Sequence, residues 1–600
     1  MRRLAVLSIT LFLPFLLGLW GCSWSASNKP SILIIAVESL GSDQFYCGVS
    51  DAEYEDGLGL FCADGVRFTH AYAPSPMSQA TLTSIFTGLY PKDTGVWHNG
   101  RQYLPEKFQT VAEVAFRSGY RTSFFSGGPP IWRKSGLDQG FELFEDNIAV
   151  SPRELYRPVN KSFELFLNWL VESSDGRPFF TTIYLPDLQF PRSITVNDAG
   201  QERARGHDSQ LKEISESLAP LYQQMKKMNL WDNSHVFLVG LNGSTLPSRE
   251  SDIDPMNLRS ENSQVVLFVK PARKTRDEGI GWSIDANVSL VDVGATLYDL
   301  LGSPENISSN DSQMDVSSLK KALVKPQVDW NRDRYILLES AWPVWRGISG
   351  TRVAVRQNNM LFVHDITPLI YNSLTDQFEN QPIRVQDPTI RNFVEDSYRF
   401  FSARGLRPWE GMSSGLIQKL RLYQKYSVTE KKDRALTEEF AHLIQQRPWD
   451  KQIVGWLARF IIKIQDWESL AKIGKEQSNS VWTYLARRRQ GETPPPPSDP
   501  CWAWIGKKNP NPKDIGNCND SEVVLFFEWV RAVDTGKKKS AQDRFLRLYS
   551  LRQLDEIISD NNFQNGLVWD AAVDIPAAPR TINLILLLSE FKGYKLIIEE

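Results

Sequence analysis

The chain has 600 residues, too many for a single core, so two or three domains are expected. With 68 basic against 71 acidic residues the formal net charge is −3, which excludes the basic footprint of a nucleic-acid binder. A hydrophobic content of 42% with 19 tryptophans excludes a disordered chain and points to well-buried globular structure.

The N-terminal stretch MRRLAVLSITLFLPFLLGLWGC sets Arg2 and Arg3 before an apolar run, and small Gly21 before Cys22, the anatomy of a secretory signal. Its Leu-x-Gly-Cys ending resembles the bacterial lipobox, with Trp20 an unusual residue inside it. That resemblance implies a signal peptide over 1–21, cleavage before Cys22 and lipidation of its thiol. The mature protein would then sit on the bacterial cell envelope, held to the membrane through its N-terminal lipid and facing periplasm or exterior. An uncleaved helical anchor is the alternative, although the run is at the short limit for spanning a bilayer. Export makes disulfides available. Setting Cys22 aside leaves four of the five cysteines, Cys47, Cys62, Cys501 and Cys518. The local pairings 47–62 and 501–518 are the simplest, with separate buried thiols at 47 and 62 as the alternative.

A tether over 22–30 leads into SILIIAVESL, which reads as a buried strand with polar residues only at its end. LPEKFQTVAEVAFRSGYRTSFFSGG reads as helix then strand, with Gly119 stopping the helix. SFELFLNWLVESS is an amphipathic helix followed by the strand RPFFTTIYLPD. ISESLAPLYQQMKKMNLW and SHVFLVGLNG repeat the pattern, and SQVVLFVKP is a further strand before the helix LVDVGATLYDLLG. Alternating strands and helices predict an α/β fold, a mostly parallel sheet covered on both faces, over 31–325. Ligands of such sheets lie beyond the carboxyl ends of the strands, so residues 38–39, 186–189 and 240–243 are the ones to inspect. RYILLESAW, RVAVRQNNMLFVHD and PLIYNSL predict a small antiparallel sheet over 326–385. From 386 to 600 the chain reads as helical, in pairs compatible with a repeat of the tetratricopeptide kind, and the proline-rich linker near 493–500 interrupts it.

The order of these segments resembles the sulfatase family of the alkaline phosphatase superfamily. ILIIAVESLGSD is similar to its first strand, and GVRFTHAYAPSPMSQATLTSIFTGLYPKDTGVWHNG to its nucleophile segment. LPEKFQTVAEVAFRSGYRTSFFSGG, GLDQGFELFED, RPFFTTIYLPDLQFP and NVSLVDVGATLYDLLG follow in the family's order. RVAVRQNNMLFVHDITPLIYNSLTDQFENQ resembles its small C-terminal sheet. The resemblance covers about residues 30–380 and implies nothing specific for the helical region.

Carried over by position, the resemblance puts Ser78 where the family has the cysteine or serine converted to formylglycine, Ala80 at the Pro/Ala position, and Leu82 at the arginine. Leucine can neither serve the converting enzyme nor stabilise charge. The family also implies a divalent cation, usually Ca²⁺, held by two acidic residues after the first strand and an Asp-Asn or Asp-His pair after a later one. Here those positions hold Glu38 and Ser39, then Leu241 and Asn242. One carboxylate is a poor offer to a cation that wants six to eight oxygens, so Glu38 and Asn242 read as vestigial metal positions and no cofactor is expected. Gly127 and Pro129 stand where relatives carry Lys and His, and Pro186-Asp187-Leu188-Gln189 where many carry Asp-Pro-His.

Each candidate also has a plainer reading. Ser78 would N-cap a helix beginning near Thr81, Glu38 would pair with Arg67 or Lys92, and His98 would sit on a surface loop. Together these residues predict a catalytically degenerate, sulfatase-like envelope lipoprotein that binds a ligand or an envelope protein or glycan partner. The alternative is an active sulfuric- or phosphoric-ester hydrolase or transferase using Ser78, with Ca²⁺ or another divalent cation held through Asp43 or Asp187.

Overall fold

SILIIAV forms strand β1 (Ser31–Val37), and all seven residues are buried. Successive side chains of a strand point to opposite faces, so β1 divides two cores. Ile32, Ile34 and Ala36 pack with Leu82, Ile85, Val293 and Leu297, whereas Leu33, Ile35 and Val37 pack with Phe163, Phe166, Leu218 and Leu221. The structure, a computed structural model, describes residues 29–45, 47, 57–100, 102–148, 156–172, 175–188, 194–196, 202–204, 207–243, 257–273, 281–304, 316–326, 334–340, 352–365, 367–377, 379–383, 387–406, 415, 417–419, 421–422, 425, 429, 433–447, 451–506, 511–516, 518, 524, 527–528, 531 and 597–598. The expected signal peptide, Cys22 and most of the tether lie outside the described residues, as does nearly all of 532–600.

Seven more strands join β1: β2 (Val66–Tyr72), β3 (Arg121–Ser126), β4 (Leu143–Glu145), β5 (Phe179–Leu185), β6 (Ser234–Gly240), β7 (Leu267–Lys270) and β8 (Trp282–Ser289). Their order is β8-β2-β7-β6-β1-β5-β3-β4, with Gln264–Val265 pairing off β2. Only β7 and that short pair run against the rest. The mostly parallel sheet expected from the alternation is therefore present. SQVVLFVKP, expected as one strand, breaks at Val266, whose carbonyl accepts from Gly240 N–H at 2.8 Å while its own N–H donates to the Leu40 carbonyl at 3.2 Å.

Six helices cover the faces: α1 (Gly59–Asp64), α2 (Ser78–Thr87), α3 (Val111–Arg117), α4 (Val159–Glu172), α5 (His207–Lys227) and α6 (Leu290–Leu300). Apolar residues of α2, α3 and α6 fill the first core, and those of α1, α4 and α5 fill the second. Thr110 with Glu113, and Ser289 with Asp292, form capping boxes at the starts of α3 and α6. Gly119, in the left-handed region at φ 84°, follows α3 as predicted. The backbones of α2 and α6 meet at Gly294, where a Cβ would lie 2.6 Å from the Ile85 carbonyl oxygen and 2.9 Å from the Gly88 Cα.

The small antiparallel sheet runs β9 (Ile336–Ser340), β10 (Arg352–Gln357), β11 (Met360–His364) and β12 (Leu369–Asn372) in simple succession. Helix α7 (Pro388–Ala403) lays Phe393 and Phe401 against Leu337, Val355 and Phe362, and the same cluster takes in Tyr90 and Val291 of the α/β domain. Two polar contacts fix the sheet further. The fully buried Arg356 pairs with Glu379 at 2.6 Å and lies over the Tyr72 ring at 4.7 Å. Glu339 donates its backbone N–H to the Pro74 carbonyl at 2.7 Å and accepts from Trp97 Nε1 at 3.1 Å through its carboxyl. Desolvation raises that carboxyl from its ordinary 4.5 to about 7, with the Trp97 bond opposing the shift.

Further on, α8 (Arg434–Gln446), α9 (Lys451–Lys463), α10 (Trp467–Glu476) and α11 (Ser480–Arg489) follow one another through short turns, with Asp433, Asp466 and Asn479 capping α8, α10 and α11. Gly474 lets α10 and α11 close on each other, since a Cβ there would meet Thr483 and Trp482 within 3.0 Å. The proline run at 494–497 has no helix or strand, as its composition predicts. No helix among the described residues is long and apolar enough to cross a membrane.

Two predictions test this packing. Gly294→Ala forces a methyl against backbone that cannot rotate away, and should destabilise the protein by about 1–3 kcal/mol in calorimetry. Glu339→Gln should be pH-dependent. A carboxyl raised in the folded state contributes stability that is fully present below its unfolded pKa and lost as pH rises through about 7. The variant should therefore match the parent near pH 4.5 and exceed it at pH 8, by up to about 3 kcal/mol in denaturant titrations. Parallel pH profiles would mean that the carboxyl is not held neutral.

Candidate functional site

Parallel pairing brings four strand ends to one edge of the sheet. Val37 is in register with both Gly240 and Leu185, and Ser126 with Tyr184. The chain continues from these ends with bonds of the same ladder: Glu38 N–H to the Leu185 carbonyl at 2.9 Å, Leu241 N–H to Val37 at 2.9 Å, and Gly127 N–H to Tyr184 at 2.8 Å. Helix α2 adds its first residue, Ser78, to this edge.

Ser78 and Glu38 meet there. The Ser78 hydroxyl donates to Glu38 Oε1 at 2.9 Å, and the Tyr184 hydroxyl donates to Glu38 Oε2 while lying 3.2 Å from the Pro129 carbonyl. Ser78 and Tyr184 have no exposed surface, and Glu38 keeps 1% of its own. Burial raises the Glu38 carboxyl from its ordinary 4.5 to about 8, the hydrogen bond from Ser78 drawing it part of the way back. The plainer readings of both residues are thereby corrected. Helix α2 begins at Ser78, not near Thr81; Met77 holds the N-cap position, and the serine side chain points to a carboxyl instead of accepting a backbone N–H. Lys92 pairs with Asp93 at 2.7 Å, and no basic residue shifts Glu38.

Asn242 is close by but has another partner: its Oδ1 accepts from the Ser39 N–H at 2.9 Å. Ser39 is in the left-handed region at φ 58°, where a non-glycine residue needs support, and Asn242 supplies it. Leu241 is wholly buried in the first core, as is Leu82 at the implied arginine position. Asp187 accepts from Val159 N–H at 3.0 Å at the start of α4, and Asp43 is exposed. Gly127 has no room for the implied lysine, because a Cβ there would lie 2.4 Å from Pro186 Cδ and 2.6 Å from the Tyr184 carbonyl oxygen.

A divalent cation of the family's kind does not fit these residues. It would need to displace two hydroxyl donors from the Glu38 carboxyl, and Leu241 offers it nothing. Among the described residues no group of three or more His, Cys, Asp or Glu side chains comes together.

Hydrogen bonds tie the segment after α2 to Gln79. The Gln79 side chain donates to the Gln102 carbonyl at 2.5 Å and accepts from Gly100 N–H at 2.6 Å, while Asn99 Oδ1 takes the Gln79 N–H at 3.0 Å. Gln102 in turn accepts from the N–H groups of Trp97 and His98 at 2.6 and 3.1 Å. His98, expected on a surface loop, is 2% exposed as a result. Tyr184 and Gln79 were not singled out from the sequence. The signals for them were a tyrosine at the carboxyl end of a buried strand, and a glutamine beside the nucleophile position. Away from this edge, the structure joins Cys47 to Cys62 and Cys501 to Cys518 by disulfides.

Residues 30–303 match the family model described as Sulfatase. The ulvan-active sulfatase of Formosa agariphila is 20% identical over 360 residues, covering 52% of this chain and 68% of that protein. Human arylsulfatase D is 25% identical over 186 residues, and the match spans 29% of this chain and only 28% of the relative. A solved structure in complex with its substrate, D-glucosamine-2-N,6-O-disulfate, shares the fold with a TM-score of 0.50 at 13% identity, over 64% of this chain and 100% of that one. With the strand order and the small sheet in place, residues 30–303 form a domain that matches the sulfatase family.

Proposed function

We propose that this protein acts without ester hydrolysis, as a lipid-anchored envelope protein that holds a partner through its retained fold and helical region. One observation carries the reading: Ser78, at the nucleophile position, is sealed from solvent and hydrogen-bonded to an equally buried Glu38. A hydroxyl nucleophile needs an activating base or metal and a route for its substrate, and Ser78 keeps no exposed surface. Leu82 and Leu241 support the same reading, since both fill core space where the family implies charge. Envelope placement rests on Arg2, Arg3, the apolar run and Cys22.

A second reading has one specific observation in its favour. The 2.9 Å contact of Ser78 with Glu38 is the distance of a nucleophile from a general base. On that reading the protein is a sulfuric- or phosphoric-ester hydrolase or transferase. Ser78 would have to become exposed, and Glu38 would have to ionise.

Two measurements separate these readings. The protein purified from its native envelope should give an unmodified Ser78 in the tryptic peptide from Phe68 to Lys92. It should show no turnover of p-nitrophenyl sulfate or p-nitrophenyl phosphate above that of Ser78→Ala, with Ca²⁺, Mg²⁺ or Zn²⁺ added. A Ser78 lacking two hydrogens, or saturable turnover lost in the variant, would establish the enzyme instead. The structural role of Ser78 is tested separately: Ser78→Ala strips a hydrogen-bond partner from a buried carboxyl, and should cost about 1–2 kcal/mol, seen as a lowered calorimetric transition of the α/β domain.

A further inference from the structure

Helices α4 and α5 pack their inner faces on the sheet through Phe163, Phe166, Leu218 and Leu221, on the side opposite α2. Their outer faces leave a groove of about 600 Å³ between them. Its apolar lining includes Leu167, Met228 and Val171, the last 66% exposed. At 1.5 Å per residue, the 14 residues of α4 make the groove about 20 Å long, room for some four turns of a third helix.

The charged side chains that line it are of one sign. Glu164, Glu213 and Glu216 line the groove, and no lysine or arginine does. Pro220, inside α5, has no N–H to give the Glu216 carbonyl, so an acceptor lies beside the carboxylates. Glu164 is held by Lys161 at 2.6 Å, but both side chains are more than half exposed, so a partner's cation can replace that lysine at little cost.

From this combination we propose that the α4–α5 groove docks a basic amphipathic helix of a partner protein. An apolar stripe at i, i+3, i+4 and i+7 would cover Leu167, Val171 and Met228. Lysines or arginines flanking that stripe would reach the carboxylates and the Glu216 carbonyl. The charge disfavours the other occupants: a sulfated glycan, an anionic lipid surface or an acidic helix would face three carboxylates, and a wholly apolar helix would desolvate them while offering no cation of its own. The inference names the partner class of the role proposed above and rests on that reading.

The test uses the full-length protein and three fluorescent synthetic peptides of about four turns. One is an amphipathic Leu/Lys helix, one has the same composition in scrambled order, and one replaces every lysine with glutamate. The Leu/Lys helix should bind saturably, with affinity falling as salt is raised, and the other two should not. The double variant E213K/E216K should weaken binding by about tenfold or more, as should Val171→Asp, with unchanged melting transitions because these positions are on the surface. Equal binding of the scrambled or acidic peptide, or undiminished binding by the charge-reversed variant, would overturn the proposal. Ester turnover is assayed on the same samples: turnover without peptide binding sinks both readings, while absence of both leaves the non-hydrolytic reading and removes only the groove.

Discussion

Strand β1 lies at the middle of the sheet with every residue buried, and its alternation assigns each side chain to one of two cores. A strand placed this way cannot be shifted by one residue without moving its apolar set to the wrong layer. Its register with β5 and β6 is therefore fixed, and so is the place where it ends. Glu38 is the first residue past that end, and it emerges into an environment that the cores have already made dry. The neighbourhood of Glu38 follows from this constraint. A carboxyl in an apolar shell must be neutral or well partnered; here it is raised to about 8 and takes two hydroxyl donors.

The same constraint accounts for how the surroundings are built. Ser39 turns sharply out of the strand in a left-handed conformation, and Asn242, brought alongside by β6, supports it. Gly127 presses its backbone against Tyr184 and Pro186, which holds the tyrosine's strand end against β3. Gln79 stitches the following loop down over α2. Each contact supports the backbone at the carboxyl edge of the sheet. Leu82 and Leu241 extend the first core to the sheet's carboxyl end.

The small sheet and the helical region attach by different physics. The sheet shares apolar clusters with Tyr72, Tyr90 and Val291 of the α/β domain and adds the buried Arg356–Glu379 pair, so it is continuous with that domain's interior. Helices α8 to α11 bury Trp456, Phe460, Trp482 and Leu485, with Phe460 stacked on Phe440 of α8.

Local pattern was enough to find β1, β3, β5 and β6, helices α3 to α6 and the small antiparallel sheet, because alternation, amphipathic spacing and glycine stops are written within a dozen residues, though not to show that RVAVRQNNMLFVHD is itself a hairpin of two strands. It also exposed the leucines at 82 and 241, since identity at a motif position needs no coordinates. The strand β8, which continues straight into α6, and the break at Val266 were not legible, because both are set by backbone bonds to remote segments. The centre of the site was hidden for the same reason. Ser78 finds Glu38 across 40 residues, and Tyr184 finds it across 146. Sequence determined which side chains stand at the strand ends and that the family's charges are missing there. Only the tertiary structure decided that Ser78 donates to a buried acid, that a tyrosine donates to the same acid, and that all three are buried. Parallel pairing joins strand ends that are far apart in the chain, and no local periodicity records that meeting.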